Sequence, residues 1–149
     1  MNRTIENVDQ WFAKDVEEVA AQAGLKVRVI SPVQITCGIG FRNDRSQTVW
    51  IRVLGTDAEQ NVLCRFSSPA LEMEADQLLG QQAANDLLRE NLQLAHGSWG
   101  VEVVGDKSYL VVYKTQIATS MQPEEFKSAI LGLASTADAM EQKLGKDAY

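Results

Sequence analysis

The sequence predicts an α+β fold: one antiparallel sheet packed against helices, in the order α-β-β-β(-β)-α-β-β-α. Three observations carry this. Apolar residues recur every three or four positions up to Ala23 and every second position from Leu25 onward, a change from helical to strand period. Gly105-Asp106 separates two alternating apolar runs, the mark of a tight hairpin. After Pro123 the spacing becomes helical again. At 149 residues, the chain suits a single domain, residues 1–149, that needs neither disulfide nor metal to fold.

The first helix is written by Ile5, Val8, Phe12, Val16, Val19 and Ala23, which fall on one stripe. Gly24 follows where a residue in the left-handed conformation ends a helix. Leu25, Val27 and Val29 open a meander, continued after Ser31-Pro32 by Val33, Ile35, Cys37, Ile39 and Phe41, then by Val49, Ile51 and Val53, and by Val62, Cys64 and Phe66. Its alternation gives the sheet one apolar face. Ser67 to Ala75 reads as a connector. A second helix is expected from about Asp76 to His96, ending at Gly97, with Leu79, Ala83, Leu87, Leu88, Asn91, Leu92 and Ala95 inward. The hairpin pairs Trp99, Val101 and Val103 with Tyr109, Val111 and Tyr113. The last helix starts at Pro123, where a missing N–H is harmless. It carries Phe126, Ile130, Leu133, Ala137, Met140 and Leu144 inward and ends at Gly145.

The net charge of −6 opposes non-specific binding to nucleic acid. Its distribution is uneven: residues 1–24 carry net −3, residues 25–66 net +3 and residues 67–149 net −6. Glu6 and Asp9 stand where a secretory signal needs an apolar run, so a cytoplasmic location is expected. No apolar run approaches the length of a membrane span. Cys37 and Cys64 are far apart and lie in strands, and they read as small buried hydrophobes.

Residues with chemical potential have simpler explanations. His96 sits at the expected end of a helix, where a partly protonated imidazole complements the dipole, and no nucleophile elbow accompanies Ser98. Gly38-Ile39-Gly40 lacks the third glycine of a dinucleotide motif and lies within a strand, so a bulge or a close backbone approach is expected. Glu72, Glu74 and Asp76 lack the glycine and terminal glutamate of a calcium loop and suit the approach to a helix N-terminus. No catalytic set, metal site or cofactor is expected. The strongest signal is on the second face of the sheet. Alternation that turns Val49, Ile51 and Val53 inward turns Trp50, Arg52 and Leu54 outward, and Leu63 and Arg65 share that face. Large apolar side chains among arginines mark a contact surface, unless a helix of the same chain covers them.

Element order and local patterns resemble the bacterial YbjN-like proteins and the type III secretion chaperones, chiefly over residues 84–145. Leu87-Leu88 with Asn91, the glycine-led hairpin from Gly100 to Val112, Pro123-Glu124-Glu125-Phe126 and the Ala137-Asp138 step carry the resemblance. It implies a small, acidic, cytoplasmic, dimeric protein without enzymatic activity; secretion chaperones hold an extended client segment, and YbjN-like members act as regulators. A pI near 4.8 agrees with the chaperone group. No site residues transfer. The expected function is therefore a non-enzymatic, homodimeric protein-binding module, chaperone-like or regulatory. Trp50, Arg52, Leu54, Leu63 and Arg65 are its partner-binding residues. The alternative is a nucleic-acid or small-ligand binder using the basic meander of residues 25–66.

Overall fold

The computed structural model describes residues 2–144. Its elements follow the expected order: α1 (Val8–Gln22), β1 (Val27–Ser31), β2 (Gln34–Gly40), β3 (Ser46–Thr56), β4 (Val62–Glu74), α2 (Gln81–Asn91), β5 (Ser98–Val104), β6 (Lys107–Ile117) and α3 (Pro123–Leu144). The six strands form one antiparallel sheet in the order β1-β2-β3-β4-β6-β5. The α+β expectation holds.

All three helices stand on one face. α3 packs across β2, β3, β4 and β6, α1 packs on α3 and β1, and α2 on β5. A single core joins Phe12 and Val16 of α1, Ile35, Ile51 and Phe66 of the sheet, and Phe126, Ile130 and Leu133 of α3. Phe66 and Phe126 meet edge to face, ring centroids 5.7 Å apart, a favoured aromatic geometry. Asp138 of α3, largely buried, accepts a hydrogen bond from Arg45 Nε at 2.8 Å and another from Gln142 Nε2. It thereby ties the helix to the β2–β3 turn, where Asn43 and Asp44 both adopt positive φ.

The expected connector is strand. β4 continues through Ser67 to Glu74, pairing with β6 as far as Glu74↔Lys107. Pro69 disguised it, because a proline within a run argues against a strand. Here it adjoins a bulge that leaves Ala70 unpaired, and Gln47 Nε2 donates to its carbonyl. The acidic run is accordingly not the approach to a helix: Glu72 and Glu74 lie on β4 and face Lys107, 3.9 and 2.8 Å away.

Other expectations also need correction. α2 is shorter at both ends, and of its expected inner residues Leu88 and Leu92 are 64% and 86% exposed. His96 lies beyond the helix, with its ring against Gly132 of α3, where a Cβ would fall 2.7 Å from the imidazole. Packing and not the dipole holds it. No backbone crowds Gly38 or Gly40 and no bulge interrupts β2 against β3, so these glycines mark neither feature. The expected stop at Gly145 lies outside the described residues. Gly24 does end α1, at φ 74°, with the Leu25 N–H bonded to the Ala20 carbonyl.

Gly97 and Gly105 both have positive φ, 77° and 64°, but their surroundings differ. A Cβ at Gly97 would lie 2.6 Å from both the Tyr113 carbonyl oxygen and Leu133 Cδ2, whereas none is crowded at Gly105. Gly105→Ala should therefore cost about 1–2 kcal/mol, the strain of the left-handed conformation alone. Gly97→Ala should cost more than about 3 kcal/mol, because the clash adds to that strain. Urea melts of both variants check the difference.

Cys37 and Cys64 are fully buried. Burial pushes their thiols up, from an ordinary 9.0 to about 11 and about 12. The folded chain favours the neutral thiols, so this stabilisation is complete below pH 9 and is lost as the unfolded chain ionises above it. Stability should fall by up to about 1.4 kcal/mol per pH unit for each thiol above roughly pH 9. Denaturation of the wild type beside a Cys37→Ala/Cys64→Ala variant, from pH 8 to 10.5, should isolate that slope.

Candidate protein-binding surfaces

Two surfaces present side chains in ways that invite a partner. The first is the helix-free face of the sheet. Trp50, Arg52 and Arg65 all lie there, placed by the alternation of β3 and β4, with Arg52 and Arg65 in direct register. No helix among the described residues covers them.

Neighbours from distant sequence occupy this face. The Arg52 guanidinium lies 4.7 Å over the Trp50 ring, and Tyr109 of β6 meets Trp50 edge-on at 5.3 Å. Arg52 Nη1 also donates to Glu102 of β5, whose other carboxylate oxygen accepts from Ser67 Oγ at 3.2 Å. β3 and β5 are separated by β4 and β6. A flat sheet would hold two such strands about 14 Å apart and, because Arg52 is level with Thr115 while Glu102 pairs with Tyr109, would set the two residues about 20 Å out of step along them, so their pairing requires a concave face.

Arg65 is treated differently. Its guanidinium lies 5.2 Å over the Tyr113 ring, and Tyr113 in turn packs on Gly100, where a Cβ would fall 2.9 Å from the ring. Leu63 is half-buried on the same face. Leu54 is the unpaired residue of the β3 bulge, 44% exposed. Of the expected set, the structure therefore gathers Trp50, Arg52 and Arg65 into one aromatic and polar cluster and leaves Leu54 at its margin.

The second surface was not foreseen as one. Asn91 of α2 reaches β5: its Oδ1 accepts the Trp99 N–H at 2.6 Å. Between the two elements runs a cleft of about 190 Å³ lined by Leu79, Ala84, Leu87, Leu88, Trp99 and Val101, among others. Val101 and Val103 are 51% and 63% exposed. β5 is one of the sheet's two edges, and Gly105-Asp106 closes its hairpin on the Val104↔Lys107 pair. In that register the N–H and C=O groups of Trp99, Val101 and Val103 point away from β6. Asn91 satisfies Trp99 and leaves the next two positions open. The exposed apolar residues Leu88 and Leu92, expected in the core, were the signal.

Among the described residues, no three His, Cys, Asp or Glu side chains gather to hold a metal ion, and no helix is long and apolar enough to cross a membrane. No protein-family model and no curated protein matches the chain. Among solved structures, a chain of the HopA1–SchA chaperone–effector complex matches it with a TM-score of 0.53 at 12% identity, covering 95% of this chain and 99% of that one. At this identity the likeness concerns the fold, which is of the secretion-chaperone kind.

Trp50 contributes to the face and not to the core. Trp50→Ser should therefore leave a cooperative fold and cost about 1–3 kcal/mol, the sum of an aromatic pair and a cation–π contact. Trp11→Ser, within the core, should cost about 3–5 kcal/mol. Thermal melts by circular dichroism compare the two.

Proposed function

We propose that this chain is a non-enzymatic protein-binding module of the chaperone type that works as a homodimer. The observation that carries the reading is the α2–β5 surface. Leu88, Leu92, Val101 and Val103 are all more than half exposed, and Leu88 and Val101 line a cleft that is almost wholly apolar. Exposed apolar area of this kind is stabilised by a protein that covers it. A second copy fits best. An isologous pairing sets one β5 edge antiparallel to another, each supplying the same open N–H and C=O groups, and places the two α2 helices side by side.

With the dimer built on that edge, the helix-free face remains for a client or regulatory partner. Trp50, Arg52, Leu54, Leu63 and Arg65 are proposed as its contact residues. The secretion-chaperone fold supports a protein client, and the chaperone–effector pair in the similar structure is a precedent for one. The basic meander supports a nucleic-acid role less well, because Arg45 and Arg52 are already paired with Asp138 and Glu102.

Sedimentation equilibrium should give twice the 16.4 kDa chain mass at micromolar concentration. Leu88→Glu and Val103→Glu, at positions 64% and 63% exposed, should each yield a monomer with an unchanged circular dichroism spectrum, since exposed substitutions shift intrinsic stability by only about 0.5 kcal/mol. A wild-type monomer, or charge variants that remain dimers, would remove the proposed interface.

A further inference from the structure

The pairing on the concave face is incomplete. Arg52 and Arg65 are cross-strand partners on β3 and β4, and one carboxylate, Glu102, reaches the pair. That carboxylate is committed to Arg52 and Ser67. No carboxylate among the described residues lies within ion-pairing distance of Arg65, and its Nε is sealed from solvent without an acceptor. An arginine presents five N–H donors in a rigid plane, and leaving the sealed one at Nε without an acceptor is costly. Yet the side chain is held in place. Tyr113 lies beneath the guanidinium, and Gly100 gives the ring the space to do so. Beside it opens a slot of about 170 Å³ lined by Arg65, Gly100, Val101, Glu102, Val111 and Tyr113.

We propose that this slot receives the carboxylate of a glutamate or aspartate in an extended segment of the protein partner, paired with the guanidinium of Arg65. The inference rests on the protein-binding reading and adds the chemistry of what is bound. Charge complementarity selects the occupant: a second carboxylate balances the two arginines, whereas a basic segment meets like charge. The guanidinium plane favours a two-oxygen acceptor.

Two synthetic peptides, blocked at both ends, test it: one alternates valine with glutamate, the other valine with glutamine. With the dimer labelled with nitrogen-15, the glutamate peptide should shift the Arg65 Nε–Hε resonance and bind about tenfold or more tightly than its glutamine counterpart. Arg65→Gln should abolish that preference, and Arg65→Lys, which keeps the charge but loses the planar fork, should reduce it. If Arg65→Gln does not fold, the lysine variant and the comparison of peptides on wild type still decide. Equal affinities, no binding of either peptide, shifts confined to α2 and β5, or the same Arg65 shift from acetate at matched carboxylate concentration would each overturn the proposal. Sedimentation is read separately. A dimer blind to the acid loses only this site, and a monomer that discriminates the peptides loses only the dimer.

Discussion

Pro69 stands inside the longest strand of the sheet and has no N–H to offer β3. The β3–β4 ladder consequently runs from Thr56↔Val62 to Trp50↔Ser67 and stops, while β4 and β6 stay paired to Glu74↔Lys107. Side chains take over where the backbone cannot: Ser68 Oγ donates to the Thr48 carbonyl, and Gln47 Nε2 to that of Pro69. Gln47 is almost wholly buried, so this substitution lies within the protein and not at its rim. Beyond that point β4 is held in the sheet by β6 alone. Much of the remaining architecture follows from this release. The β5–β6 hairpin stays joined to the strand that carries Arg65, and the concave face brings Glu102 to Arg52.

The two sides of the sheet are stabilised by different physics. Toward the helices, Phe12, Phe66, Phe126 and their neighbours are excluded from water, and apolar burial dominates. Toward the open side, stability comes from directional contacts: a cation over an aromatic ring, an ion pair and a serine hydroxyl on a carboxylate. Such contacts depend on charge and respond to salt, unlike the core. A surface built this way tolerates exchange of one polar partner for another, as recognition requires.

Sequence periodicity made α1, the Gly105-Asp106 hairpin and α3 legible, because each buries one clear stripe or alternates cleanly. It also placed Trp50, Arg52 and Arg65 on the correct face. It did not show what lies against them, since Tyr109, Glu102 and Tyr113 come from strands forty or more residues away and register across a sheet is not written locally. Ser67 to Glu74 was illegible for a different reason. The bulge at Ala70 shifts the alternation by one, and the proline hides what remains. In α2, apolar residues at helical spacing were read as core, whereas Leu88 and Leu92 face solvent. Periodicity reports that a helix has an apolar side and not whether its own chain covers that side. His96 illustrates the limit again: its contact with Gly132 joins residues that no local pattern connects.

α2 contains no buried residue, and its attachment to the sheet includes the single side chain of Asn91 on the Trp99 backbone. Elements attached so lightly open locally, well below the free energy of global unfolding. When α2 lifts away, Asn91 leaves with it, and the free edge of β5 lengthens from two open positions to three. Helix detachment and edge exposure are thus one event with one free energy. Anything that clamps the helix shortens the edge, and anything that pairs with the full edge must first displace the helix. In the single chain, with no second β5 edge against it, amide exchange at Val101 and Val103 would consequently be fast throughout, while exchange at Trp99 would keep the rhythm of α2.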